Sequence, residues 1–153
     1  MSNKKDGLKY EKIVAKALMG YTSFEDIVTT IASGAMWFDK EDLKGKRGNQ
    51  DYIIQVKGTK KDKYRLSSED VYKVWNNAYD AGGHPYFVIV FAGKFKYQMV
   101  LLNVKYVTDK IEYVCKKSYL FKESTTLEFA SVIIKYKEDL FEVTFDEVLF
   151  INK

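Results

Sequence analysis

The stretch from residue 51 to residue 92 constrains the fold more than any other part of the chain. Its first part, Asp51–Gly58, alternates side chains between two faces and therefore predicts a strand. Ser67–Ala81 repeats apolar residues at helical spacing, and the apolar run Tyr86–Ala92 predicts a buried strand. A strand, a helix and a second apolar strand in this order predict a right-handed βαβ crossover within one mixed sheet.

The predicted helix within this stretch carries residues that begin and end helices. Ser67 suits the N-cap, and Asp70, three residues later, completes a capping box. Gly82 and Gly83 follow the helical pattern, and Pro85 prevents its continuation. The helix therefore ends where the second strand has to start.

The other predicted elements surround this crossover. An amphipathic helix is predicted at residues 6–20, where apolar residues recur every three or four positions. Further predictions, in chain order, are a capping box at 23–26 that opens a short helix or turn, a strand at Met36–Leu43, a basic turn at Lys44–Asn49, a strand at 97–104, a helix or turn at Val107–Tyr113 and a strand pair in the C-terminal tail. Together they indicate an α/β or α+β fold, with a central mixed β-sheet flanked by helices and a C-terminal β-rich extension.

Composition is that of an ordinary globular protein. A hydrophobic content of 46% is typical of that class. The length of 153 residues predicts one domain over residues 1–153, with its core at 6–93 and the extension at 94–153. The single cysteine excludes an internal disulfide and a cysteine-based zinc cluster, and the single histidine excludes a histidine-rich metal site. No signal peptide or membrane-spanning run is evident, so we expect a cytoplasmic protein that does not associate with membranes.

Positive charge is concentrated near the middle of the chain. The net charge is +4, from 25 basic and 21 acidic residues. Residues 40–65 contain nine basic and four acidic side chains, so this segment carries the excess. A basic surface is typical of nucleic-acid-binding proteins, and a merely solvated face is the alternative.

Asp42, Gln55 and Lys57 form the pattern that carries a chemical prediction. Residues two apart on a strand share a face, so Gln55 and Lys57 can converge on one ion and one phosphate. Mg²⁺ prefers oxygen ligands, usually one or two carboxylates with waters and phosphate oxygens. A carboxylate followed by an oxygen-bearing side chain and a lysine therefore suits metal-dependent phosphodiester cleavage.

This pattern resembles the PD-(D/E)XK nuclease superfamily and, within it, the archaeal-type and phage Holliday-junction resolvases. The matching residues are Asp42, the triplet Gln55-Val56-Lys57, and Tyr10-Glu11 in the first helix. Three further stretches support the match: Ser33-Gly34-Ala35 before the acid, KGT at the end of the strand and GGHPYFVIVF after the second helix. The resemblance covers about residues 6–93, and the C-terminal third is similar only loosely, to a phage-type extension.

The resemblance implies a restriction-endonuclease-like core and a role for individual residues. Glu11 is implied as a helix-borne acid near the metal, Asp42 as the principal ligand and Lys57 as the catalytic lysine. Gln55 and the backbone carbonyl of Val56 are implied to complete the coordination of Mg²⁺, for which Mn²⁺ is expected to substitute. The expected DNA contacts are Ser33, Gly34, Lys44, Lys46, Arg47, Thr59, Lys60 and Lys61.

The sequence departs from the superfamily pattern at two positions. Glu41 precedes Asp42 where the motif has proline, at a position that varies in the superfamily. Gln55 occupies the position that is usually glutamate. An amide oxygen can bind a hard cation but carries no charge, so we expect weaker metal affinity. A natural variant, a substitution that blocks catalysis and a binding-only relic are all compatible with Gln55.

Each of these residues also has an ordinary structural role open to it. Glu11 fits a solvated helix acid, and Asp42 fits a loop acid that balances neighbouring lysines. Lys57 is costly to bury unpaired, so its pairing with Asp42 is expected with or without catalysis. Asp51, at the start of the strand and on the Gln55 side, is the alternative ligand.

The leading hypothesis is a Mg²⁺-dependent endonuclease that resolves branched DNA. We expect a homodimer, because two symmetric incisions need two sites, with its interface at Val88–Phe91 or in the aromatic C-terminal segment. The alternatives are another PD-(D/E)XK DNA endonuclease, a non-catalytic DNA-binding module and a structural protein. The loose C-terminal likeness suggests a phage-encoded protein that acts in a host cell.

Overall fold

The structure is a computed structural model that describes residues 4–29, 42–93, 96–107, 118–122 and 131–152. In chain order its elements are α1 (Lys4–Tyr21), β1 (Asp26–Thr29), β2 (Asp42–Arg47), β3 (Gln50–Thr59), β4 (Lys63–Ser67), α2 (Ser68–Ala81), β5 (His84–Ala92), β6 (Lys96–Val107), β7 (Ser118–Lys122), β8 (Ser131–Tyr136) and β9 (Asp139–Asn152). Most of the predicted strand at Met36–Leu43 and of the predicted helix or turn at Val107–Tyr113 lies outside the described residues. Neither described helix is long and apolar enough to cross a membrane.

Seven strands form one mixed sheet in the order β1-β2-β3-β5-β6-β9-β8. β3 and β5 are parallel, and every other neighbouring pair in this sheet is antiparallel. Because the chain passes from β3 to β5 through β4 and α2, the predicted βαβ crossover and α/β class are confirmed. The sheet also joins strands of the segment 6–93 to strands of the C-terminal extension.

The two helices begin and end close to their predicted bounds. Helix α1 includes the predicted range 6–20. At the start of α2, the Asp70 backbone N–H donates to Ser67 Oγ over 3.1 Å, which confirms the N-cap. At its end, Gly82 adopts a left-handed conformation with φ of 71°. Glycine has no Cβ, so it takes this conformation without strain.

The sheet separates two hydrophobic cores because the side chains of its strands alternate. The α1 core lies between α1 and the sheet and includes Val14, Leu18, Tyr52, Ile54, Val56, Tyr86 and Leu101. The α2 core lies on the other face and includes Val71, Val74, Phe87, Ile89, Phe91, Val100 and Phe141. β4 and β7 form a separate two-stranded sheet, the ribbon, whose Leu66 and Phe121 extend the α2 core. Burial of each such side chain stabilises the fold by about 1.5–3 kcal/mol.

The predicted capping box at residues 23–26 is wrong. Asp26 begins β1 instead of a helix, and the Glu25 backbone N–H donates to the Lys46 carbonyl over 2.8 Å. Phe24 is buried in the α1 core. Pairing with β2 and burial of this ring therefore outweigh a local helix signal.

The predicted basic turn at Lys44–Asn49 is also wrong in its extent. Lys44 and Lys46 belong to β2 and lie opposite Ile53 and Asp51 of β3. Only Gly48 and Asn49 connect the two strands, because Arg47 pairs with Gln50. Gly48 has a φ of 63°, as expected for the first position of a two-residue hairpin loop.

Candidate active site

Gln55 and Lys57 lie on the α2 face of β3, as the alternation predicts. Gln55 is 2% exposed, and Lys57 is half-buried. Their parallel partners in β5 are Phe87 and Ile89, both fully buried in the α2 core. The structure therefore places an amide and an ammonium group side by side along an apolar layer.

Asp42 is the first residue of β2 and lies directly opposite Gln55 in the antiparallel pairing. Residues in such positions have Cα atoms about 4.5–5.5 Å apart. The described pairing of β2 with β3 stops at this pair, so Val56 and Lys57 extend past it. The hairpin thus brings Asp42 next to the strand that carries Gln55 and Lys57, although these residues are separated in the sequence.

Glu11 lies on α1 and is 2% exposed, so the interpretation of this residue as a solvated helix acid is wrong. Its neighbour Tyr10 fixes the contact of α1 with β3, because a Cβ atom at Gly58 would overlap the Tyr10 ring. Gly58 directly follows Lys57 in β3. The helical turn that carries Glu11 therefore lies over the end of β3 that carries Lys57.

The Gln55 amide makes no hydrogen bond within the described part of the chain, although its Oε1 and Nε2 atoms are both buried. A buried polar group left in this state costs about 1–3 kcal/mol. Gln98 of β6 is in the same state and, by alternation with Val100, lies on the same face of the sheet. Hydrogen bonding within the described fold thus does not explain why the polar Gln55 side chain is buried. A side chain that binds a ligand is expected to look like this.

The donor types at this site suit a hard divalent cation. Among the predicted ligands, Glu11 and Asp42 have carboxylates and Gln55 has an amide oxygen, while Mg²⁺ usually takes one or two carboxylates. The helix that carries Glu11 packs on the opposite face of the sheet from Gln55 and Lys57. No group of three or more His, Cys, Asp and Glu residues within the described ranges could hold a metal ion.

The basic residues of β2 lie at different distances from Lys57. Lys44 is opposite Ile53, four residues from Lys57, and Lys46 is further away. Lys44 and Lys46 are exposed, and Lys46 lies opposite Asp51. Asp51 is six residues from Lys57 along β3, a distance of about 20 Å. Asp51, the alternative ligand, is exposed at this distant end of the strand.

A second group of the predicted DNA contacts lies directly beside Lys57. Thr59 is half-buried at the end of β3, and Lys60 and Lys61 are exposed in the connection to β4. Thr59 Oγ1 accepts a hydrogen bond of 3.1 Å from the Lys61 backbone N–H, which holds this connection close to the strand. The remaining two predicted contacts, Ser33 and Gly34, lie outside the described residues.

Arg47 has a set of partners that the sequence did not indicate. Its guanidinium carbon lies 4.8, 5.0 and 5.4 Å from the ring centroids of Phe24, Tyr52 and Tyr86. Its Nη2 atom also donates to the Tyr86 hydroxyl over 2.5 Å. Cation–π contacts of this kind stabilise by about 0.5–2 kcal/mol each. Arg47 therefore packs against the end of the α1 core.

Asp146 completes this arrangement from β9. It accepts a hydrogen bond of 2.5 Å from the Tyr86 hydroxyl and lies 3.9 Å from Arg47 Nη2. Burial and the nearby Asp146 carboxylate raise the pKa of Tyr86 to about 12, although Arg47 acts in the opposite direction. In the pairing of β6 with β9, Leu101 lies opposite Glu147 and Leu102 opposite Phe145, so Asp146 is an extra residue in a bulge. Asp146, Arg47 and Tyr86 together join β9 to the β2–β3 hairpin.

Comparison with known proteins identifies the family. The model of the archaeal Holliday junction resolvase (hjc) family matches residues 2–139, which includes most of the segment 94–153. No curated protein sequence matches the chain. A solved structure of Archaeoglobus fulgidus Hjc, a Holliday junction resolvase from an archaeal hyperthermophile, is 16% identical and covers 78% of this chain and 85% of its own, with a TM-score of 0.49. The family match over most of its length shows that the chain belongs to the archaeal Holliday junction resolvase family, part of the restriction-endonuclease-like PD-(D/E)XK superfamily.

Proposed function

We propose that this chain is a Mg²⁺-dependent endonuclease that cleaves four-way DNA junctions as a homodimer. Its family supports a nuclease that acts on branched DNA. The observation that carries the proposal is the register of the hairpin, in which Asp42 lies opposite Gln55 and Lys57 follows two residues later on the same face as Gln55. A carboxylate, an oxygen donor and a lysine are thereby gathered at one end of the described hairpin.

The proposed ligands of the ion are Glu11, Asp42, Gln55 and the Val56 carbonyl, and Mn²⁺ is expected to substitute for Mg²⁺. When bound, the ion would lower the pKa of a water molecule and stabilise negative charge on the scissile phosphate. Lys57 donates hydrogen bonds to a phosphate oxygen and stabilises the charge that develops there. Its apolar neighbours in β5 strengthen this interaction, since they lower the local dielectric constant.

A homodimer places two such sites on one junction. Val88–Phe91 cannot form its interface, because these residues are fully buried in the monomer. The aromatic C-terminal segment is the proposed surface, and Phe150 within it is 62% exposed. Sedimentation equilibrium at the protein concentration used for cleavage tests this part of the proposal. A monomer that still makes paired incisions would contradict it.

Cleavage of matched DNA substrates tests the proposed activity. A labelled four-way junction and a linear duplex with the sequence of one arm are incubated with Mg²⁺, Mn²⁺ or EDTA. We expect metal-dependent incision of the junction by the parent and a loss of about 100-fold or more in Asp42→Ala and Lys57→Ala. Lys105→Ala, which removes an exposed lysine from β6, serves as the control and should cleave like the parent.

The outcomes separate the proposed activity from its alternatives. If Asp42→Ala and Lys57→Ala cleave as fast as the parent, the nuclease site is wrong. Equal cleavage of the linear duplex would instead remove the junction preference and leave another kind of DNA endonuclease.

A DNA-binding module without catalytic activity is the second candidate. The buried Gln55 side chain favours it, because glutamine lacks the negative charge of the usual glutamate. In that case the parent binds junctions without cleaving them. Its affinity falls as salt rises, because binding releases counterions from the phosphates. Gln55→Glu, which restores a carboxylate, would then cleave while the parent does not.

A further inference from the structure

The ribbon formed by β4 and β7 has an apolar face and a basic face. Alternate residues pack into the α2 core, namely Tyr64, Leu66, Tyr119 and Phe121. The residues between them are exposed, namely Lys63, Arg65, Leu120 and Lys122. The basic face therefore points away from the protein core.

The strand register concentrates positive charge on the basic face. Lys63 lies directly opposite Lys122, and Arg65, two residues further along β4, lies opposite Leu120. Three cations are thereby gathered on one exposed face, an arrangement that complements the phosphates of a polyanion.

The ribbon lies on the same side of the sheet as the candidate active site. The Tyr64 ring lies 6.4 Å from that of Phe87, and Phe87 is the direct partner of Gln55 in β5. The exposed residues Lys60, Lys61 and Asp62 connect the end of β3 to the ribbon and carry a net charge of +1. A basic surface therefore continues from the Lys57 end of β3 onto the ribbon.

We propose that the basic face of the ribbon binds the phosphate backbone of a duplex DNA arm that leaves the active site. The inference rests on the proposed DNA substrate and adds the surface on which one arm lies. Lysine and arginine ammonium and guanidinium groups bind phosphate oxygens through charge-assisted hydrogen bonds. Leu120, 49% exposed between these cations, packs against the sugar edge of the same backbone.

Binding measurements with charge-matched variants test this surface. The ribbon variant combines Lys63→Gln, Arg65→Gln and Lys122→Gln. The control combines Lys16→Gln, Lys105→Gln and Lys135→Gln, which removes three exposed positive charges from α1, β6 and β8. Fluorescence anisotropy gives the affinity of each protein for the labelled junction and for a linear duplex at about 50–200 mM salt.

We expect the ribbon variant to bind both DNAs at least about tenfold more weakly than the parent at the low-salt end. The slope of log affinity against log salt should become shallower by about 2–3, because each lost phosphate contact removes roughly 0.9. The control variant should keep the parent slope. Equal losses in both triple variants would show that only net charge matters and would overturn the proposal, as would a parent-like slope in the ribbon variant.

Two further measurements complete this test. The unfolding temperature separates a loss of binding from misfolding, and the cleavage rate separates it from a failure of the proposed activity. The double variant Lys63→Gln, Lys122→Gln changes two exposed side chains, so its unfolding temperature should stay close to that of the parent. Under single-turnover conditions with all DNA bound, the ribbon variant should cleave at the parent rate.

If Lys57→Ala cleaves like the parent but the ribbon variant binds weakly, the proposed activity fails and the ribbon surface stands. An acidic polypeptide that binds the ribbon more tightly than duplex DNA would contradict the ribbon proposal alone.

Discussion

Asp42 and Gln55 occupy directly opposed positions at the described end of the β2–β3 pairing. Gln55 is buried at 2% exposure, and its amide makes no hydrogen bond with the described residues. If this pair binds Mg²⁺, as proposed, its affinity should be weak, because the amide lacks the negative charge that glutamate would provide. The first prediction concerns that charge.

Gln55→Glu should make the stability of the protein depend on Mg²⁺. Without metal, the buried carboxylate beside Asp42 is destabilising, because burial and a like charge both oppose its ionisation. Binding of Mg²⁺ offsets this cost and stabilises the variant by about 2.7 kcal/mol at a concentration of 100 times Kd. Thermal unfolding with Mg²⁺ and with EDTA measures the difference.

Gln98→Glu is the matched control for this substitution, because Gln98 is equally buried and its amide also makes no described hydrogen bond. It should be destabilised in EDTA and gain nothing from Mg²⁺. An equal response of the two variants to Mg²⁺ would contradict a metal site at Gln55.

Gly58→Ala should destabilise the protein by about 1–3 kcal/mol, since an added methyl group overlaps the Tyr10 ring. Urea denaturation measures this cost. Gly20→Ala is the control, because none of the described residues outside its own stretch of helix comes within 4 Å of the added Cβ, and alanine favours the helix there. In a double-mutant cycle, Tyr10→Leu should reduce the cost of Gly58→Ala, and additive effects would mean that the ring is not the cause.

Arg47→Gln should lower stability while it leaves DNA affinity close to that of the parent. The substitution removes cation–π contacts with three rings and a hydrogen bond to Tyr86, which together contribute about 2 kcal/mol or more. Lys46→Gln, at the exposed neighbouring position, should change stability by less than about 0.5 kcal/mol. A large loss of DNA affinity in Arg47→Gln with parent-like unfolding would contradict this expectation and support the predicted DNA contact at Arg47.

Tyr86→Phe should change how stability depends on pH in the alkaline range. The pKa of Tyr86 is raised to about 12 in the folded protein from an ordinary value of 10.0, so the folded state retains the proton longer. The stability that Tyr86 contributes is therefore fully present below pH 10 and is lost as pH rises through 12. The difference in unfolding free energy between the parent and Tyr86→Phe should shrink across this window.

The control for alkaline unfolding is Tyr79→Phe, which removes a tyrosine that is 71% exposed. Urea denaturation at several pH values should give the Tyr79→Phe variant the same pH profile as the parent. A constant difference between the parent and Tyr86→Phe from pH 9 to pH 12 would contradict the raised pKa.

Much of the fold followed from local pattern. Tyr52, Ile54 and Val56 alternate with Gln55 and Lys57, and this period alone placed the two groups on opposite faces of β3. The N-cap at Ser67 and the stop at Gly82 are equally local, because each depends on residues a few positions away. Periodicity and capping therefore predicted the βαβ unit and the shared face of Gln55 and Lys57 correctly.

Contacts between distant residues were not predictable in this way. Lys44–Arg47 has the composition of a basic turn, yet it forms a strand because β1 and β3 pair on its two sides. Nothing in the sequence near Arg47 indicates Asp146, which reaches it only because a bulge in β9 places an extra residue there. Lys122 joined the basic residues of β4 only through the pairing of β7 with β4.

The sequence by itself determined which residues are proposed to carry chemistry. Residue type and spacing on one strand define Gln55 and Lys57 as a pair, and the resemblance adds Asp42 and Glu11. Only the tertiary structure decided their arrangement: the β2–β3 register sets Asp42 opposite Gln55, and Tyr10 against Gly58 brings α1 to the Lys57 end of β3. The physical reason is that side-chain direction within a strand is set by the local backbone, whereas register and helix docking are set by the burial of groups far apart in the chain.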